Sequence, residues 1–292
     1  MERELWKSLY WLAKTLDKRR RTWRYAVSDI LAAYFWAVVH DRPTSWAAVS
    51  EHWPKELEPA MLPPQCTLSR RLRRPQTVEL MVEVEQHLLA LVVVSRYWVW
   101  SIDGKPLPVS PVSKDPDAAL GHASRGWMKG YKFHAVWGAP PMPAAWGLSP
   151  MNTSEKTIAQ ELICSLPGEG YLLADSSYDA NRLYDLAAQT GYQLVVPKLP
   201  SRGRGGLGHR PHSPFRLRSI ELLKKPFGRQ LFRQRRIIEC RFGTLTSFGG
   251  GLAPLPAWVR RFHRVRNWIH AKILIAGLRW LLRNAPEKLS TA

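Results

Sequence analysis

Asp103, Asp175 and Glu239 are the residues of this chain whose types and placement suit chemistry. The first two each close an apolar run that reads as a buried strand, YWVWSID and YLLAD. The third stands in a polar helical stretch, RQRRIIECRFGTL. A carboxylate at a strand end needs little further ordering, because the sheet already holds its backbone. Hard oxygen donors of this kind suit Mg²⁺ or Mn²⁺, with water and a phosphate completing the octahedron. Two such ions about 3.5–4 Å apart activate an attacking oxygen and stabilise a leaving one. Parallel neighbouring strands would set Asp103 beside Asp175. Taken singly, each aspartate reads equally well as a turn or cap residue. Asp179, in SSYDAN, reads as the cap of the helix that follows, and Asp115 and Asp117 as solvated loop residues. Arg235 precedes Glu239 by one helical turn and shares its face. It can grip a phosphate or merely form an exposed ion pair worth about 0.3–0.5 kcal/mol.

The surroundings of these acids are basic. The 292 residues include 43 Lys and Arg against 23 Asp and Glu, a net charge of +20. The cations are clustered, which points to a polyanion and first of all to DNA or RNA. Lys105 and Lys132 are placed to touch phosphates near the acids, with a solvated or helix-covering role as the alternative. Cys66, Cys164 and Cys240 form no CxxC pair, which argues against a disulfide framework or a zinc site and for a reducing cytosol. Charges interrupt the apolar residues of the N-terminus, so it does not read as a signal peptide. The longest apolar stretch, residues 88–94, is too short to span a bilayer. The expected location is cytoplasmic and nucleoid-associated, with no membrane partner.

The elements that must position the acids fall into two regions. Residues 1–95 read as helical. Leu5, Leu9, Leu12 and Leu16 form one stripe, Pro43-Thr44-Ser45 starts a helix, and a further helix carries Ser69, Arg70, Arg71, Arg73 and Arg74 before Pro75. That order resembles a helix-turn-helix DNA reader; a basic solvated helix face is the other reading. Residues 96–285 alternate strands and helices, the α/β pattern of a mixed sheet flanked by helices. GYKFHAVWG and PAAWGLSPM form a candidate hairpin, and a loop is expected over residues 114–126. Residues 198–228 form a basic insertion, rich in Arg and Lys with Glu221 as its sole acid. The amphipathic helix over residues 264–284 closes the α/β domain, and residues 286–292 form a tail.

Together, IDGKPL, GYKFHAV, YLLADSSYDAN and RRIIECRFGTL resemble a bacterial insertion-sequence DDE transposase. The narrower resemblance is to the group with a Tyr-x-x-Arg-x-x-x-Glu-(six residues)-Lys signature. It implies an RNase H-like core in which Asp103, Asp175 and Glu239 are the catalytic, metal-binding triad. It also implies Mg²⁺ or Mn²⁺ as cofactor, two ions with DNA bound, and Arg235 in the signature arginine position. The activity implied is cleavage and strand transfer at the ends of a mobile element. The partners are the terminal repeats, the target DNA and a second copy of the chain on DNA. Phe232 stands at the signature tyrosine and Thr246 at the signature lysine; Arg241, or Arg260 with Arg261, is the nearest substitute cation. A stand-alone nuclease of the same core and a catalytically silent DNA-binding regulator are the competing readings.

Overall fold

The computed structural model describes residues 1–19, 24–59, 61–92, 97–123, 126–198, 211–246 and 251–290. Two compact units divide the chain: Met1–Val94 with Leu245–Ala292, and Ser95–Thr244.

The first unit is helical. In α1 (Glu2–Leu16), Leu5, Trp6, Leu9, Leu12 and Ala13 recur at three- and four-residue spacing and are buried, the stripe of an amphipathic helix. Helix α2 (Val27–Val39) is buried almost all round. Its alanines let α1 come close, and the Trp6 indole donates to the Ala32 carbonyl at 2.8 Å. The short α3 (Thr44–Ala47) and α4 (Gln65–Arg71) follow. Helix α5 (Pro75–Val92) starts on the proline, the first-turn position where a missing N–H costs nothing. Arg19 ties the end of α1 to α5 through Glu83 at 2.7 Å.

The second unit is a mixed sheet: β1 (Val99–Pro108), β2 (Ala119–Ala123), β3 (Gly126–Trp137), β4 (Ala145–Pro150), β5 (Gly170–Leu173) and β6 (Tyr192–Val195). The strand order is β2-β3-β1-β5-β6, with β4 also paired to β3. Strands β1, β5 and β6 run parallel, and β3 runs antiparallel to β1. Successive side chains point to opposite faces. Leu172 therefore joins Trp100, Ile102 and Leu194 under α6 (Glu155–Cys164) and α7 (Asn181–Gln189), while Leu173 joins Val195 on the other face. Helices α8 (Pro214–Lys224) and α9 (Pro226–Arg233) belong to that second face, where Leu231 is buried against Leu173 and Val195. Burial on both faces is why YLLA and QLVV read as unbroken apolar runs. Helix α10 (Arg236–Thr246) sets Phe242 edge-on to Phe133 and Trp137.

Four expectations change. Strand β1 does not stop at Asp103; its pairing with β3 continues to Pro108, and only the parallel pairing with β5 ends. The expected loop contains β2, which forms a hairpin with β3 from Ala123↔Gly126 onward. Asp115 is buried and accepts from the Tyr131 hydroxyl at 2.7 Å, so it is not a solvated residue. Part of the basic insertion is the regular helix α8; residues 199–210 lie outside the described residues.

The largest correction concerns the last helix. Helix α11 (Phe262–Asn284), followed by α12 (Glu287–Ser290), belongs to the helical unit and not to the sheet unit. It packs on α5, with Asn267 donating to the Leu72 carbonyl at 2.9 Å and His270 meeting Glu85 at 2.8 Å. Its buried residues run almost continuously over its middle turns. A helix buried on most sides needs the all-round cover of a bundle.

Candidate active site

The register of the parallel strands sets the two aspartates. Pairing of β1 with β5 runs from Val99↔Tyr171 to Ser101↔Leu173. Asp103 and Asp175 both stand two residues past the last pair, so they leave adjacent strands at the same level. Gly170 fixes that level. Its φ is +134°, and a Cβ there would lie 2.3 Å from the Trp98 carbonyl oxygen. A glycine alone lets β5 begin so close to β1, with the Tyr171 amide bonding Trp98 at 2.7 Å. Alternation then turns Asp103 toward the face carrying Leu173 and α9.

Asp103 accepts from the Gly104 amide at 2.8 Å and from Arg235 Nη1 at 3.2 Å. Burial pushes its carboxyl up to about 6, and the charges of Asp175 and Glu155 push the same way; the Gly104 amide and Arg235 pull it down. Asp175 accepts from the Ser177 amide at 2.8 Å and from the Ser177 hydroxyl, in a 3-10 turn over Ser176–Tyr178. The Tyr178 hydroxyl is buried nearby. Burial, then Glu155, Asp103 and Asp175, raises it well above its ordinary value.

Arg235 joins the first acid to the third. Its Nη2 donates to Glu239 Oε1 at 2.9 Å while Nη1 holds Asp103. The signature region is not one helix. Helix α9 ends at Arg233 and α10 begins at Arg236, and the amides of Gln234, Arg235 and Ile237 bond three residues back. Arg235 thus stands at a tightened turn, with Glu239 mostly exposed one turn into α10. Phe232 packs beside Leu173 and Val195, an apolar place with no use for a phenol hydroxyl. Thr246 is buried.

The donor set of Asp103 and Asp175 fits a hard divalent cation: two rigid carboxylates at one level, crowded by like charge that a cation would relieve. Among the described residues, no three His, Cys, Asp or Glu side chains are gathered closely enough to hold an ion. Between Asp103 and Glu239 the positive charge is the Arg235 guanidinium.

The other expected contacts divide sharply. Lys105 lies half-buried on the face of Asp103. Lys132 is buried and paired with Glu155 at 2.7 Å, so its ammonium serves the fold behind the strand and not an incoming phosphate. Arg241 donates to the Ala139 carbonyl, and burial lowers its pKa. In the helical unit Arg70 and Arg73 are exposed and Arg74 is half-buried. Arg71 is buried and turned to the Tyr25 carbonyl, a packing role in place of the expected DNA contact. Asp179 is no helix cap. Arg216 Nε and Nη2 bind its two oxygens at 2.7 and 2.8 Å, and the cap position of α7 is Ala180. Sequence reasoning missed Glu155 and Ser177. Glu155 sits in the first turn of α6, where an acid is ordinary and signals nothing; the position of Ser177, two residues after Asp175, is the usual place for a donor to that side chain.

A central strand flanked on one side by an antiparallel partner and on the other by parallel ones, with acids at the parallel ends and helices on both faces, defines an RNase H-like unit. Residues 95–278 match the family model of the transposase DDE domain, and the chain belongs to that family. Comparison with curated proteins and with solved structures gave no match. Membership implies DNA binding and a divalent metal ion, as is general in the family. No helix among the described residues is long and apolar enough to cross a membrane.

Proposed function

We propose that this protein is the transposase of a bacterial insertion sequence, cutting and joining DNA at the element's ends with Asp103, Asp175 and Glu239 as its metal-binding triad. The observation that carries the reading is the in-register placement of Asp103 and Asp175 together with the Arg235 bridge from Asp103 to Glu239. Mg²⁺ or Mn²⁺, two ions with DNA bound, would supply Lewis-acid stabilisation of the phosphorane-like charge and a more acidic water.

The chain's own groups have definable tasks. Water attacks the phosphorus in line, the bond to the 3′-oxygen breaks, and a proton passes to that oxygen, leaving a 3′-hydroxyl and a 5′-phosphate. The freed hydroxyl then attacks a target phosphodiester, exchanging one such bond for another. Arg235 presents two donors to two carboxylates, and an entering phosphate competes for the same fork. Transfer of Arg235 to the phosphate releases Asp103 and Glu239 at the moment substrate arrives. Lys105 adds charge on the same face. Arg70, in the last turn of α4, and Arg73, just past its end, are both exposed and are the helical unit's candidates for backbone contact. Two element ends must meet, so the active form is a dimer on DNA, in the bacterial cytoplasm with the nucleoid.

The test is cleavage of a duplex carrying the element end, with Mg²⁺ present or chelated. Asp103→Ala and Asp175→Ala should each lose cleavage by at least about a thousandfold, the scale of a lost catalytic unit, while retaining end binding. Activity persisting in both variants refutes the triad. Cut but never joined products would make the enzyme a stand-alone nuclease, and binding without any metal-dependent cutting would make it a regulator.

A further inference from the structure

Glu155, the first residue of α6, lies behind the strand that carries Asp103. Asp103 and Gly104 belong to opposite faces of β1. A Cβ on Gly104 would meet the Lys132 side chain at 3.0 Å and Glu155 Oε1 at 3.3 Å. Glu155 is therefore on the face away from Asp103, pressed against the strand end. Lys132 Nζ donates to its Oε1 at 2.7 Å, and the Ser177 hydroxyl approaches its Oε2 at 2.9 Å. That same hydroxyl reaches Asp175, whose Oδ1 also takes the Ser177 amide. A serine hydroxyl has one proton. It serves Asp175 or Glu155, and the choice depends on what else Asp175 binds.

We propose that Glu155 is a positioning residue for Asp175, anchored by Lys132 and acting through the Ser177 hydroxyl. The proposal rests on reading Asp103 and Asp175 as cation ligands. When a cation engages Asp175, the hydroxyl proton turns to Glu155; the turn stays fixed by the Glu155 contact and the Ser177 amide, and the lone pair of Asp175 that the hydroxyl had occupied is left to the ion. The charge of Glu155 has a second effect. It neutralises the buried Lys132 ammonium, which would otherwise act on Asp103 and Asp175 and oppose a cation. Outer partners of ligating groups commonly govern metal affinity by 10- to 100-fold.

The test measures Mn²⁺ binding to the full-length protein by electron paramagnetic resonance, with a short duplex carrying the element end, alongside thermal unfolding. Ser177→Ala keeps every charge and should unfold cooperatively while weakening Mn²⁺ binding about tenfold. Glu155→Gln should weaken it at least as much. Adding Lys132→Met to Glu155→Gln should recover part of the loss, because the uncompensated ammonium is gone; a purely structural defect would deepen instead. Wild-type Mn²⁺ affinity in both Ser177→Ala and Glu155→Gln overturns the proposal. Asp103→Ala is the control: if it loses Mn²⁺ while those two do not, only the positioning role fails. If Asp103→Ala also binds normally, the ligand reading fails and this proposal falls with it.

Discussion

Asp103 is held at a cost. Its carboxyl ionises near pH 3.8 when solvated and near about 6 in the folded protein, chiefly because it is buried. Between those values the folded state holds the extra proton, so this group's contribution to stability falls as pH rises through the window and is level above it. The displacement corresponds to about 3 kcal/mol at most. Asp103→Asn, neutral throughout, should gain stability relative to the wild type between pH 4.5 and pH 7.5 in urea denaturation. An unchanged difference across that range would contradict the origin assigned to the shift. At this scale the sequence is uneven as a guide. Asp103 and Asp175 were legible because each closes an apolar run, and the parallel pairing of those two runs ends at the same level, two residues before each aspartate. Lys132, Arg71 and Asp115 were not, because all three look like surface residues until a remote partner covers them: Glu155, the Tyr25 carbonyl and the Tyr131 hydroxyl. Glu155 was hidden for the same reason, since Lys132 and Ser177 lie 23 and 22 residues away.

Among elements, the pairing of β1 with β5 matters most, and it depends on one glycine. Gly170→Ala meets both a left-handed φ and a backbone oxygen at 2.3 Å. It should cost on the order of 1–3 kcal/mol, read by urea denaturation. It should also depress cleavage more than binding, because any shift in register separates the aspartates. The turn after Asp175 has its own anchor. Asp179 and Arg216 are both largely buried and doubly hydrogen-bonded, with His212 on Arg216 at 2.8 Å. Arg216→Met leaves the buried carboxylate without its guanidinium and should cost about 3–5 kcal/mol, again read by urea denaturation; a loss below 1 kcal/mol would show that the pair is dispensable. Strands with strong apolar character, β1, β3, β4, β5 and β6, were legible from their alternation or continuity. Strand β2 was not, since ALGHA carries little β signal and forms by pairing with β3. The break at Gln234 and Arg235 was likewise invisible, because helical spacing continues across it in the sequence.

For the whole molecule, a net charge of +20 makes DNA affinity a matter of counterion release. Wild type and Asp103→Ala should show the same steep loss of end binding with salt, measured by fluorescence anisotropy. Arg70→Ala and Arg73→Ala should each flatten that slope by about one unit, whereas Arg71→Ala should lower the unfolding midpoint and leave the slope unchanged. Wild-type slopes for both Arg70→Ala and Arg73→Ala would remove this segment from the DNA-binding surface. The packing partner of the last helix was not legible at this scale. Its apolar residues announce burial but not against which partner, and proximity in sequence favoured the sheet.

That return of α11 to the first helices has a consequence for biosynthesis. A ribosome releases α1 through α5, then every strand, and only later the segment carrying Asn267 and His270 that covers α5. Each nascent chain thus passes through an interval in which Asp103 and Asp175 have already emerged while the helical bundle is still missing a wall. A message broken in that interval would yield a truncated product with its bundle open to solvent, a ready substrate for proteolysis.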